Sequence, residues 1–102
     1  MGQEVKPATS YVIAFRLGLS RDYAEFFAQL RQLRAQQAFE KVWVLHADRY
    51  PESSAEQIRN ELGQFLDEKV DSLLVIGVES PVNLAAFGNK RRLREVFNLP
   101  GL

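Results

Sequence analysis

Hydrophobic and polar positions change period repeatedly along this chain, and each change marks an element. From Tyr11 to Leu17, the residues Tyr11, Ile13, Phe15 and Leu17 alternate with Val12, Ala14 and Arg16. Both sets are apolar until Arg16. The stretch therefore predicts a strand inside a sheet, covered on both faces or covered on one face by a second copy in a dimer. Gly18 and Leu19 turn the chain, Ser20 is placed to cap a helix, and Asp22 in a first turn suits the positive end of the helix dipole. Tyr23, Phe26, Phe27, Leu30 and Leu33 then recur at helical spacing, with Arg31 and Arg34 towards the C-terminal end. Such an aromatic stripe predicts packing against a sheet.

Lys41 to Ala47 reads as a strand with Val42 and Val44 on one side and Trp43 and Leu45 on the other. The preceding Ala35 to Glu40 reads either as a short strand, with Glu40 and Lys41 at a tight turn, or as a loop. Pro51 breaks the chain. Ser53 with Glu56, and Ser54 with Gln57 one residue on, both have capping-box spacing. The helix they start carries Ala55, Ile58, Leu62, Phe65 and Leu66 on its buried side, and Gly63 within it costs ~1 kcal/mol relative to alanine. Asp67, Glu68 and Asp71 end it. Ser72 to Val78 is a strand apolar on both faces. Beyond Glu79-Ser80-Pro81, residues 82–87 read as an edge strand or a helical turn. Asn89 is placed to cap a last helix with Leu93, Val96 and Phe97 inward.

With 35–40 as a strand, the order is βαββαβ, an α+β ferredoxin-like sandwich with an antiparallel sheet, two helices on one face and an extra C-terminal strand or helix. With 35–40 as a loop, it is a small parallel βαβαβ sheet. A parallel sheet needs helices on both faces, and two helices cover only one, so the ferredoxin-like order is expected. The expected organisation is a flexible leader over 1–10, one domain over 11–80, and a C-terminal extension over 81–102. The leader lacks the pattern of a signal peptide and no apolar run has membrane-spanning length, so a cytoplasmic protein that does not enter membranes is expected.

Composition narrows the chemistry. The 102 residues are 46% hydrophobic and 25% charged, which suits one ordinary hydrophobic core. There is no cysteine and one histidine, His46, so disulfides, thiolate metal sites and histidine-rich zinc sites are excluded, leaving oxygen-ligand sites for magnesium or manganese. Thirteen basic side chains balance thirteen acidic ones, yet residues 1–50, 51–89 and 90–102 carry +2, −5 and +3. The neutral total thus hides an acidic middle and a basic end, with Lys90, Arg91, Arg92 and Arg94 grouped where they can meet phosphates or an acidic surface.

The segments Tyr11-Val-Ile-Ala-Phe-Arg-Leu17, Asp22-Tyr23, Val42-Trp43-Val44 before Asp48, Ser54-Ala-Glu-Gln-Ile-Arg59, Leu66-Asp67 and Asp71-Ser-Leu-Leu-Val75 follow one another in an order that resembles the small ferredoxin-like SinR-like proteins and CRISPR-associated protein two. The resemblance covers about residues 11–80. It implies a homodimer with sheets packed face to face, nucleic acid or a partner protein on the outside, and in some members a metal-dependent nuclease. That activity uses an aspartate at the end of the first strand. Here the matching residue is Arg16, whose guanidinium repels magnesium. Gln36 and Gln37 stand where paired aromatic residues are expected.

No other residue supplies the missing carboxylate by pattern. Asp22 is accounted for at a helix start, Asp48 at a strand end and Glu79 after the last core strand. His46 fits a half-buried structural histidine, and Ser20 a cap. Gly18 stands alone and makes no phosphate loop. The expectation is therefore a homodimer binding RNA, DNA or a protein partner through Lys90, Arg91, Arg92, Arg94 and Arg16. It has no catalytic residues and no cofactor. The alternatives are a magnesium-dependent nuclease using other carboxylates, and an assembly or regulatory protein that touches no nucleic acid.

Overall fold

The computed structural model of the chain describes residues 10–19, 21–46 and 54–78. In chain order these form β1 (Ser10–Arg16), α1 (Ala24–Gln32), β2 (Gln36–Phe39), β3 (Val42–His46), α2 (Ala55–Gly63) and β4 (Ser72–Val78). The strands make one sheet in the order β2-β3-β1-β4, every pairing antiparallel. Residues 35–40 thus contain a strand, as the βαββαβ reading requires. A four-stranded antiparallel sheet with two helices is compatible with a ferredoxin-like fold. The expected Ser20 cap, Asp48, Glu79, the leader before Ser10 and the whole extension over 81–102 lie outside the described residues.

The register sorts side chains onto two faces, because directly paired residues point the same way. Trp43, Ile13 and Val75 form one cross-sheet row, and Leu45, Tyr11 and Gly77 another, with Phe15 beside Leu73. This face meets Phe26, Leu30 and Leu33 of the α1 segment and Ile58 and Leu62 of α2 in a single buried cluster. Phe26, Ile13, Leu30, Leu45, Ile58 and Leu62 are fully buried, each contributing ~1.5–3 kcal/mol by leaving water. Phe15, Phe26 and Phe27 meet edge to face, with centroids 5.0 to 5.8 Å apart. Their geometry suits the positive ring edge over the negative ring face.

The opposite face carries two other rows: Phe39, Val42, Ala14 and Leu74, and then Gln36, Val44, Val12 and Ile76. It is nearly as apolar as the core face. A register shift between Gln37 and Phe39 is what brings Phe39 opposite Val42.

Local signals set the helix ends. The capping box forms on Ser54 rather than Ser53: the Gln57 N–H donates to Ser54 Oγ at 3.2 Å and the Ser54 N–H to Gln57 Oε1 at 2.8 Å. Asp22 lies just before α1, not in its first turn, and accepts the Ala24 N–H at 2.9 Å; Glu25 is the acidic residue of that turn. Gly63 is the last residue of α2, so its cost in helix interior is not incurred in full.

At the other end of α1, the Ala35 N–H donates to the Leu30 carbonyl and the Arg34 N–H to the Arg31 carbonyl, both at 3.0 Å. These two bonds are a Schellman motif, and Arg34 holds its left-handed position at φ 63°. Arginine pays a Cβ clash there that glycine avoids. Arg34→Gly is expected to stabilise the fold by ~1 kcal/mol, read as a higher urea midpoint; an unchanged or lower midpoint would mean that the arginine side chain makes an offsetting contribution.

Candidate functional site

Asp71 is the one buried acidic residue of the described core, at 7% exposure. It ends the turn after α2 and opens β4, at the edge of the sheet where β1 runs out into the Leu17-Gly18-Leu19 turn. Burial strips water from its carboxylate, so the protein must supply the donors. It does so from three segments. Oδ1 accepts the Gly18 N–H at 2.9 Å and the Tyr23 hydroxyl at 2.5 Å. Oδ2 accepts the Asp67 N–H at 2.8 Å and faces Arg21 Nη1 at 3.5 Å.

Each donor is placed by local structure. Asp67 folds the turn around itself: its carbonyl accepts the Val70 and Asp71 N–H groups at 3.0 and 2.8 Å, and its carboxylate accepts the Lys69 N–H at 2.9 Å. Tyr23 sits immediately before α1, its ring within the core cluster. Gly18 is needed for close approach, since a Cβ there would lie 3.1 Å from the Tyr23 hydroxyl oxygen and 3.4 Å from Val70. Arg21 is more exposed; its guanidinium lies 5.8 Å from the Tyr23 ring centroid and also faces Asp67, so its charge is partly screened.

Burial by itself would raise the Asp71 pKa. The Asp67 N–H, the Tyr23 hydroxyl, the Gly18 N–H and the Arg21 charge together outweigh it and hold the carboxyl below its ordinary value. Tyr23 moves the other way: burial, then its bond to the Asp71 anion and that anion's charge, push the phenol up. Asp71 is thus an anion and Tyr23 a neutral donor at neutral pH. With its acceptor positions taken, this pair is a latch between the loop entering α1 and the turn entering β4, unsuited to moving protons.

The residues singled out from sequence are scattered relative to this latch. Arg16 is exposed at the end of β1, opposite Ser72 and on the outer face of the sheet. His46 is half-buried at the far end of β3, where its Nδ1 lies 3.2 Å from Ser10 Oγ. Asp22 serves α1. Lys90, Arg91, Arg92 and Arg94 lie outside the described residues, so the structure does not place them relative to Arg16. Among the described residues no three His, Asp or Glu side chains converge as metal ligands, and no helix is long and apolar enough to cross a membrane. The role of Asp71 was not visible from the chain, where it reads only as the acid ending α2. The available signal was its position directly before an apolar strand and four residues after Asp67.

The outer face is the other feature with functional content. Val44 on it is fully buried, although it stands apart from the helix-side cluster. Phe39, Leu74 and Ile76, at the two sheet margins, are 53%, 56% and 48% exposed. Arg16 lies at its rim. No protein-family model and no curated protein matches the chain.

The latch predicts a pH profile. Because the Asp71 pKa is lowered on folding, its contribution is complete above the unfolded value of 3.8 and is lost as pH falls through the folded value. Because the Tyr23 pKa is raised, its contribution is complete below 10.0 and is lost as pH rises through the folded value. Urea titrations over pH should show Asp71→Asn less stable at neutral pH but with a flatter acid limb, and Tyr23→Phe with a flatter alkaline limb. An acid limb unchanged in Asp71→Asn would contradict the assignment.

Proposed function

We propose that this chain is a homodimeric, ferredoxin-like protein of the kind represented by the SinR-like proteins and CRISPR-associated protein two, which binds nucleic acid without hydrolysing it. The observation that carries the reading is the outer sheet face. Two apolar rows cross it, with Phe39, Leu74 and Ile76 about half exposed at its margins. A contiguous apolar surface of this kind favours a protein partner over solvent. A second copy of the same face is self-complementary about a two-fold axis.

Arg16 at the rim of that face gives the dimer two guanidinium groups beside the interface. The basic cluster Lys90, Arg91, Arg92 and Arg94 adds further cations. These groups attract phosphates and release counterions on binding. Where hydrolysis would call for a carboxylate at the end of β1, a guanidinium stands instead and disfavours a divalent cation. The rival nuclease would have to use Asp48, outside the described residues, or Asp22, which already accepts the Ala24 N–H.

Light scattering is expected to give the mass of a dimer for the wild-type chain and of a monomer for Ile76→Asp. Gel-shift assays with labelled RNA and DNA should show binding that weakens as salt rises. Replacing Lys90, Arg91, Arg92 and Arg94 by alanine should lower affinity about tenfold or more, with the probe intact in magnesium and in chelator alike. Magnesium-dependent cleavage abolished by Asp48→Ala would establish the nuclease instead. Failure to shift either nucleic acid at any salt concentration would favour an assembly protein that docks only on other proteins.

A further inference from the structure

The edge of the sheet at β4 is open among the described residues. Ser72 to Val78 has no charged residue, and no described strand pairs with it on the side away from β1. The orientation of its backbone follows from the register. The Phe15 N–H donates to the Lys41 carbonyl at 3.2 Å, so Phe15, Ile13 and Tyr11 direct their peptide groups towards β3, while Ala14 and Val12 direct theirs towards β4. Ala14 and Val12 are opposite Leu74 and Ile76. Leu74 and Ile76 therefore bond to β1, and Leu73, Val75 and Gly77 direct their N–H and C=O groups outward at the edge. An uncharged, apolar edge of this kind is prone to pair with other chains unless something covers it.

Beside this edge runs a groove between β4 and α2. Its two parts, of about 440 and 280 Å³, share Arg59 and Leu73; Gly63 and Leu66 border the larger, and Ala55 and Val75 the smaller. Leu73 and Val75 on its floor are only partly buried although they point to the core face. A Cβ added at Gly63 would meet nothing within 4 Å, so the helix leaves space there. The site offers outward peptide groups, an apolar floor and room for a side chain.

We infer that residues 82–87 of the same chain, Val-Asn-Leu-Ala-Ala-Phe, add to this edge as a fifth, antiparallel strand. They lie outside the described residues and follow Val78 after Glu79-Ser80-Pro81, a connection of hairpin length in which proline needs no donor partner. With that three-residue loop, Val82 is opposite Val78, Leu84 opposite Ile76 and Ala86 opposite Leu74. These extend the apolar outer face. On the other side, Ala85 falls opposite Val75 and Phe87 opposite Leu73, so the phenyl ring enters the larger part of the groove over Gly63. Asn83, the polar member, falls opposite Gly77 at the end of the edge. Pairing closes the outward peptide groups of Leu73, Val75 and Gly77 and buries apolar side chains on both faces at once. The strand's covering of the edge does not depend on whether the protein is a dimer or binds nucleic acid.

The absence of cysteine from the chain makes a direct test available. Leu74 and Ala86 form a non-hydrogen-bonded pair in this register, where side chains come closest. The full-length Leu74→Cys/Ala86→Cys variant should oxidise to a disulfide within one chain, and the Leu74→Cys/Ala85→Cys variant, with its cysteines on opposite faces, should not. Non-reducing electrophoresis and mass spectrometry separate intrachain from interchain bonds. Hydrogen exchange on the unmodified chain supplies a second reading that needs no substitution: slowed exchange in residues 82–87 and at Leu73, Val75 and Gly77. A disulfide between chains would assign the edge to another copy's segment and overturn the inference, as would equal oxidation of both variants or unprotected amides throughout 82–87.

Discussion

A buried carboxylate holds the two halves of this fold together. Asp71 takes its donors from the turn after β1, from the residue before α1 and from the turn after α2, segments that lie about fifty residues apart in the chain. The hydrophobic core is non-directional and would tolerate sliding of one half against the other. The carboxylate does not tolerate it, because losing one donor leaves a desolvated charge short of a partner. The latch thereby fixes where β4 begins relative to β1. Through the two-residue alternation of the strand, it also fixes which side chains of β4 face the helices and which face outward.

That division has consequences for function. A shift of one residue would turn Leu74 and Ile76 into the core and bring Leu73 and Val75 out, exchanging the groove floor for the outer face. The proposed dimer surface and the open edge beside α2 therefore rest on the same registration. Arg16 is the point where the two concerns meet: it ends β1 opposite Ser72, immediately after Asp71, so the latch also sets the position of the guanidinium at the rim of the outer face. A cation there favours a phosphate-bearing partner over a metal.

Much of this architecture is written locally. The alternation in Tyr11–Leu17 and the apolar run Ser72–Val78 identify β1 and β4 to within a residue, and the Ser54–Gln57 box starts α2, because these signals involve neighbours in sequence. The strand at Gln36–Phe39 is ambiguous in sequence since four half-polar residues do not make a period; its pairing with β3 decides it, and its register shift is a tertiary outcome. The cap of α1 differs from expectation for a similar reason: Asp22 reaches forward to Ala24 from outside the helix. Asp71 is the clearest illegible case. Its partners Gly18 and Tyr23 are each ordinary in sequence, a turn glycine and a core aromatic, and only the fold brings them onto one carboxylate. The candidate contacts at Lys90, Arg91, Arg92 and Arg94 are legible as charge, but charge alone does not say what it meets.

The most direct measurement of the central claim is a double-mutant cycle on the latch at neutral pH, comparing urea unfolding of the wild-type chain, Tyr23→Phe, Asp71→Asn and the double variant. If the hydroxyl acts through the carboxylate, the double variant should be scarcely less stable than Asp71→Asn alone. Losses that simply add would show that Tyr23 and Asp71 contribute independently, and the account of a single carboxylate registering the two halves would be wrong.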